Sequence, residues 1–221
     1  IDRLDDRFES TLTDLRVQWM PDNLGGKATP TSSSFKKFIE SGDQSALETE
    51  VRLNETFLKS KKAIQDDFLS SRTNRKGGTT NNVEVQEQYA AIASLVHEYG
   101  HTICPGKANE SYQSTTGNVN SKFMPFRRQY NLYMRELREK QREIQQLRES
   151  FAGQPDGLQL GLEATKELQK EYDAMCISKY SKESVGEFIA EAFVDAILGK
   201  NPKPASLEVM KTLDNLYGRG K

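Results

Sequence analysis

Apolar residues Leu4, Phe8, Leu12, Leu15 and Trp19 recur at three- and four-residue intervals, the spacing that lines one face of an α-helix. An amphipathic helix is therefore predicted up to Pro21, where Asp22-Asn23-Leu24-Gly25-Gly26 breaks it. A short helix is expected over Phe35 to Glu40. Ser41-Gly42-Asp43 then opens a longer one carrying Leu47, Val51, Phe57, Leu58, Ile64 and Phe68. Residues 72–82, with Gly77-Gly78-Thr79-Thr80, read as a loop, and Val83 to Val85 as a short strand. The small apolar run from Tyr89 to Val96 leads into a helix from Gln88 to Ile103, stopped by Cys104-Pro105-Gly106, and residues 107–121 form a polar loop. Beyond it Phe126, Tyr130, Tyr133, Leu137, Ile144, Leu147 and Phe151 alternate at spacings near three and four among dense charges, a coiled-coil-like helix. A turn at residues 153–157 separates it from Leu158, Leu162, Leu168, Tyr172 and Met175. The two stretches make an antiparallel helical hairpin.

These elements predict a helix-dominated α+β fold with a small sheet and an inserted hairpin. The 221 residues are read as one domain. Residues 1–75 hold N-terminal helices, 76–121 an edge strand, the helix of Gln88 to Ile103 and a loop, 122–179 the hairpin, and 180–221 two C-terminal helices. The 31 basic and 32 acidic residues nearly cancel, so no field points to nucleic acid or to a membrane surface. No apolar run is long enough to span a bilayer, and the opening Ile1-Asp2-Arg3-Leu4-Asp5-Asp6-Arg7 is too charged for a signal peptide. The absence of an initiator Met reads as a fragment or a processed product. Two cysteines, Cys104 and Cys176, make no disulfide framework, which points to a reducing compartment or a virion.

The chemistry concentrates at His97-Glu98-Tyr99-Gly100-His101, which holds the only two histidines of the chain. Residues four apart on a helix share a face, so both imidazoles can grip one cation, and Glu98 between them can reach a metal-activated water as general base. With no third histidine, a carboxylate must complete a zinc site. Glu187, Glu191 and Asp195 share one face of a helix otherwise filled by Phe188, Ile189, Ala190, Ala192, Phe193 and Val194. Acids stacked in such company need a compensating cation or donor. Cys104, three residues after His101, reads as a buried, inert thiol before it reads as a ligand. Asn109-Glu110-Ser111 is a formal glycosylation sequon, with meaning only in a secreted chain.

His97-Glu98-Tyr99-Gly100-His101, then Tyr180, then Glu187-Phe188-Ile189-Ala190-Glu191-Ala192-Phe193, resembles the peptidase domain of anthrax lethal factor and its relatives. These gluzincins carry H-E-F-G-H and a Tyr seven residues ahead of an E-F-F-A-E-A-F helix. Similar modules occur in some phage minor head proteins and polymorphic bacterial toxins. The resemblance covers the metal helix and residues 180 to about 201. It implies a zincin-like fold and Zn2+ held by His97, His101 and Glu187, with Glu98 as general base and acid. Tyr180 would stabilise the oxyanion, and Glu191 would orient a zinc-bound imidazole. It departs in one respect, the hairpin set between the second histidine and the glutamate ligand. The expected function is a zinc-dependent endopeptidase acting on a protein or peptide substrate, as a toxin, effector or phage-associated protease, with residues 126–177 as a surface for a protein partner. The alternatives are a virion structural or interaction protein retaining a zincin fold, and a metal-dependent hydrolase of a non-peptide amide.

Overall fold

The structure, a computed structural model, describes residues 2–20, 26–55, 83 and 85–219. Helices dominate: α1 (Asp2–Arg7), α2 (Ser32–Ser41), α3 (Ala93–Ile103), α4 (Gly106–Thr116), α5 (Met124–Glu149), α6 (Gly157–Ala164), α7 (Lys166–Met175), α8 (Val185–Leu198) and α9 (Pro204–Tyr217). Three strands, β1 (Leu12–Gln18), β2 (Gly26–Pro30) and β3 (Thr49–Asn54), form a sheet in the order β1-β3-β2. The central strand β3 runs parallel to β1 and antiparallel to β2. This is the helix-dominated α+β class expected from the sequence.

The N-terminal third differs from the expected run of helices. The helix anticipated up to Pro21 ends at Arg7, and Leu12–Gln18 is a strand. Residues 15, 17 and 19 fit a period of two as well as one face of a helix, and Thr11, Thr13 and Val17 are β-branched and favour extended backbone. Leu15 and Trp19, expected on the apolar face of a helix, are exposed, as is Val17 between them. The longer helix anticipated after Ser41-Gly42-Asp43 also gives way over residues 49–54. Thr49, Val51 and Leu53 are buried in β3, with Glu50 and Arg52 between them less so, a clean period-two alternation. Residues 57–68 and the loop expected at 72–82 lie outside the described residues. The expected polar loop at 107–121 is largely α4, which has no apolar stripe. Its Ala108 and Tyr112, four apart, join Phe38, Leu47, Phe35 and Ile39 in a small second core. The hairpin is present. Arg148 donates to Thr165, Lys140 pairs with Glu171 and Tyr133 contacts Cys176, so falling numbers on α5 meet rising numbers on α6 and α7, the mark of antiparallel arms.

α8 organises the main core. Every residue from Val185 to Asp195 is buried, as expected of a helix that is apolar almost all round. α3 lies along it, and the approach is close because Gly100 has no side chain. A Cβ there would stand 3.2 Å from Ala190 Cα. The start of α4 docks on the start of α8 through Gly106, whose Cβ would fall 2.2 Å from Gly186 Cα. Gly106→Ala is therefore expected to force the two helices apart and to lower stability by about 1–3 kcal/mol, read as a lower urea midpoint. The C-terminal end of α3 is tied to the sheet by buried threonines. Thr11 Oγ1 donates to the Thr102 carbonyl at 2.9 Å and lies 2.7 Å from Thr49 Oγ1. Among the described residues no helix is long and apolar enough to cross a membrane.

Candidate metal centre

The α3–α8 contact brings the two sequence motifs face to face. His97 and His101 lie one turn apart on α3, with Nε2 atoms 3.2 Å from each other. Glu187 Oε2 on α8 stands 3.2 Å from His97 Nε2 and 3.3 Å from His101 Nε2. These three atoms form a nearly equilateral triangle. On a zinc tetrahedron with bonds of about 2.0–2.1 Å, ligand atoms stand about 3.3–3.4 Å apart, so the triangle matches one face of such a tetrahedron. Glu187 Oε2 is buried, and its neighbours within reach are the two imidazole nitrogens. Two imidazole nitrogens and a carboxylate oxygen converging within 3.3 Å of one another are a donor set suited to zinc.

The local sequence explains why Glu187 is free to face the histidines. Ser184 caps α8, its hydroxyl accepting from Glu187 N at 3.1 Å. A Glu three residues after a Ser cap commonly turns its carboxylate back to the cap backbone. Here the carboxylate points across to α3. Glu191, one turn on, places Oε1 2.8 Å from His97 Nδ1. That contact fixes the ring's orientation and leaves Nε2 toward the triangle. Burial works against charge on His97, but Glu187 and Glu191 together push its imidazole up to about 10. Burial likewise raises Glu187, and the hydrogen bonds and charges of His101 and His97 outweigh it, holding the carboxyl well below the usual range.

A cleft of about 210 Å³ opens on the triangle, lined by His97, Glu98, His101, Tyr180 and Glu187 on one side and by residues of β2 on the other. Glu98 is buried at the cleft wall beside Gly26, where a Cβ would come within 2.8 Å of Glu98 Cγ. Tyr180, in a 3-10 turn over Tyr180–Lys182, sets its ring 5.8 Å from that of His97. Burial and the charges of Glu187 and Glu183 raise its hydroxyl well above the ordinary tyrosine value. It stays a hydrogen-bond donor at neutral pH. His97, His101, Glu187, Glu98, Tyr180 and Glu191 are thus brought together. Asp195, the third acid of the stripe, turns away and accepts from Lys203 N at 2.7 Å.

Other sequence expectations shift. The strand edge beside α3 is β2, not Val83 to Val85. Those two valines are buried in the core, and Val85 makes a single bridge to Gly199. β2 went unrecognised because Gly-Lys-Ala-Thr-Pro has no apolar alternation, and only its pairing with β3 makes it a strand. Cys104 is fully buried, its thiol pushed up to about 12, and it stands outside the metal-ligand cluster. Asn109 is also buried, donating to the Pro105 carbonyl, so the sequon is closed to a glycan. Comparisons with protein-family profiles, with curated proteins and with solved structures find no match to this chain.

Proposed function

We propose that this chain is a zinc-dependent endopeptidase of the gluzincin type, similar in its site to the lethal factor peptidase domain. The observation that carries the reading is the triangle of His97 Nε2, His101 Nε2 and Glu187 Oε2 with the buried Glu98 at its side. Bound by those three residues, zinc would supply a Lewis acid that lowers the pKa of a water toward neutrality and polarises a peptide carbonyl. Glu98 would take the proton from the attacking water and pass it to the leaving amine. Tyr180, held protonated beside His97, would donate to the oxygen on which negative charge develops. Glu191 would keep the His97 ring in the tautomer that offers Nε2. β2, at the sheet edge along the cleft, would pair with the extended backbone of a peptide.

Metal analysis of the purified chain, paired with digestion of a peptide library, tests this. One zinc per chain is expected, with cleavage that is lost on chelation and regained with added zinc. A zinc-free protein of unchanged fold would overturn the reading. Stoichiometric zinc without cleavage of any peptide would favour an interaction protein retaining the fold.

A further inference from the structure

The hairpin looks like an insertion into the metal site, yet its base grips the turn that presents Tyr180. Tyr133 lies on α5 with its side chain buried. Its hydroxyl stands 2.8 Å from Ser181 Oγ and accepts from Ile177 N at 3.1 Å. The Ser181 hydroxyl is already committed as a donor to the Ser178 carbonyl at 2.8 Å. Tyr133 must therefore be the donor in its bond to Ser181. One turn earlier on α5, Tyr130 donates to the Lys182 carbonyl at 2.8 Å. The 3-10 turn Tyr180–Lys182 is thus held at both residues that follow Tyr180. Both rings also pack on Phe188, with centroids 5.0 Å away for Tyr133 and 5.6 Å for Tyr130. Phe188 is the neighbour of Glu187 on α8.

We infer that Tyr133 is a positioning residue for the cleft: it acts through Ser181 and Ile177 to hold Tyr180 over His97, which makes the hairpin a structural member of the reaction site. The inference rests on the peptidase reading with Tyr180 as oxyanion donor. The turn is three residues long, and its backbone bonds run within residues 178–183. Beyond α5 its side chains meet Tyr172, through Lys182, and His97, through Tyr180, so the hydroxyl and carbonyl bonds from Tyr133 and Tyr130 are what tie the turn to α5. A buried phenol with two backbone or hydroxyl partners is a rigid anchor, since leaving those partners unpaired is costly.

The test compares Tyr133→Phe, Tyr180→Phe and the double variant, each loaded with zinc, on a peptide that the unaltered chain cleaves. Tyr133→Phe keeps the ring on Phe188 and is expected to retain zinc and helix content while kcat falls about 10-fold, the scale of losing an orienting partner. KM should stay nearly constant. The double variant should be no slower than Tyr180→Phe alone, because the two act in series. Full kcat in Tyr133→Phe, or losses that multiply in the double variant, would overturn the inference. A readout free of cleavage uses 3-fluorotyrosine at position 180 alone. Its fluorine line should be displaced from that of an unfolded peptide in the parent chain and return toward it in Tyr133→Phe. An unmoved line refutes the positioning role. A moved line in a chain that cleaves nothing supports it and faults the peptidase reading instead. Should Tyr133→Phe fail to fold, Tyr130→Phe removes the Lys182 bond alone, and its fluorine line should move in the same direction.

Discussion

Replacing Glu98 with glutamine is expected to stop peptide cleavage while leaving zinc in place. Glutamine has nearly the shape of glutamate, so the contact with Gly26 and the packing of the cleft wall survive. What is lost is basicity at the atom that must take a proton from water. General base catalysis by a positioned carboxylate contributes about 10²–10⁴-fold in rate, or about 3–5 kcal/mol of barrier. The loss should appear in kcat, with KM little changed, because a general base acts in the transition state more than in substrate binding. Steady-state kinetics on a library-derived peptide, with zinc counted by mass spectrometry on the same sample, checks both halves. Activity retained within about threefold would remove Glu98 from the base's role.

The candidate metal site was far more legible in the sequence than the sheet beside it, and the reason is physical. His97, Glu98 and His101 sit within five residues of one helix, so their mutual geometry follows from helical pitch alone. Glu187 and Glu191 are likewise four apart on α8, and acids among Phe188, Ile189 and Phe193 stand out as unsatisfied until something faces them. What the sequence left implicit was the docking of the two helices. That depends on Gly100 against Ala190 and Gly106 against Gly186, small residues whose meaning appears only across a contact.

The strands were misread for a related reason. β1 offers spacings that a helix also offers, and its partner is more than thirty residues away. β2 is defined by hydrogen bonds to β3 and by its place along α3, neither of which its five residues advertise. α5 was legible because Phe126, Tyr133, Leu137 and Ile144 keep a helical stripe, and each is buried. The second arm was legible as one stretch but is two helices. They meet at Thr165, whose hydroxyl turns back to the Gly161 carbonyl and receives Arg148. A side chain that bonds the preceding turn competes with the regular ladder and marks a break.

Glu187→Ala and Glu191→Ala should weaken zinc binding very unequally, and the order of the two decides which acid is the ligand. The two nitrogens of the His97 ring face opposite ways. Nε2 points to Glu187 Oε2 at 3.2 Å and Nδ1 to Glu191 Oε1 at 2.8 Å. An ion shared by His97 and His101 through their Nε2 atoms lies on the Glu187 side, and Glu191 reaches it only through the ring. Removing Glu191 therefore frees the imidazole to rotate and should cost affinity by about 10–100-fold, as loss of a ligand's orienting partner does. Removing Glu187 takes away the carboxylate charge and one corner of the triangle together, leaving two imidazoles to hold a divalent ion. The affinity of Glu187→Ala should fall well below that of Glu191→Ala, to the point that zinc does not survive dialysis. Competition against a fluorescent zinc chelator ranks the two variants, and helix content confirms that both keep α8. The reverse ranking would make Glu191 the ligand and Glu187 its support. It would also require His97 to bind through Nδ1, which points to Glu191 while Nε2 points to His101, so the His97 ring would have to turn over before both histidines shared one ion.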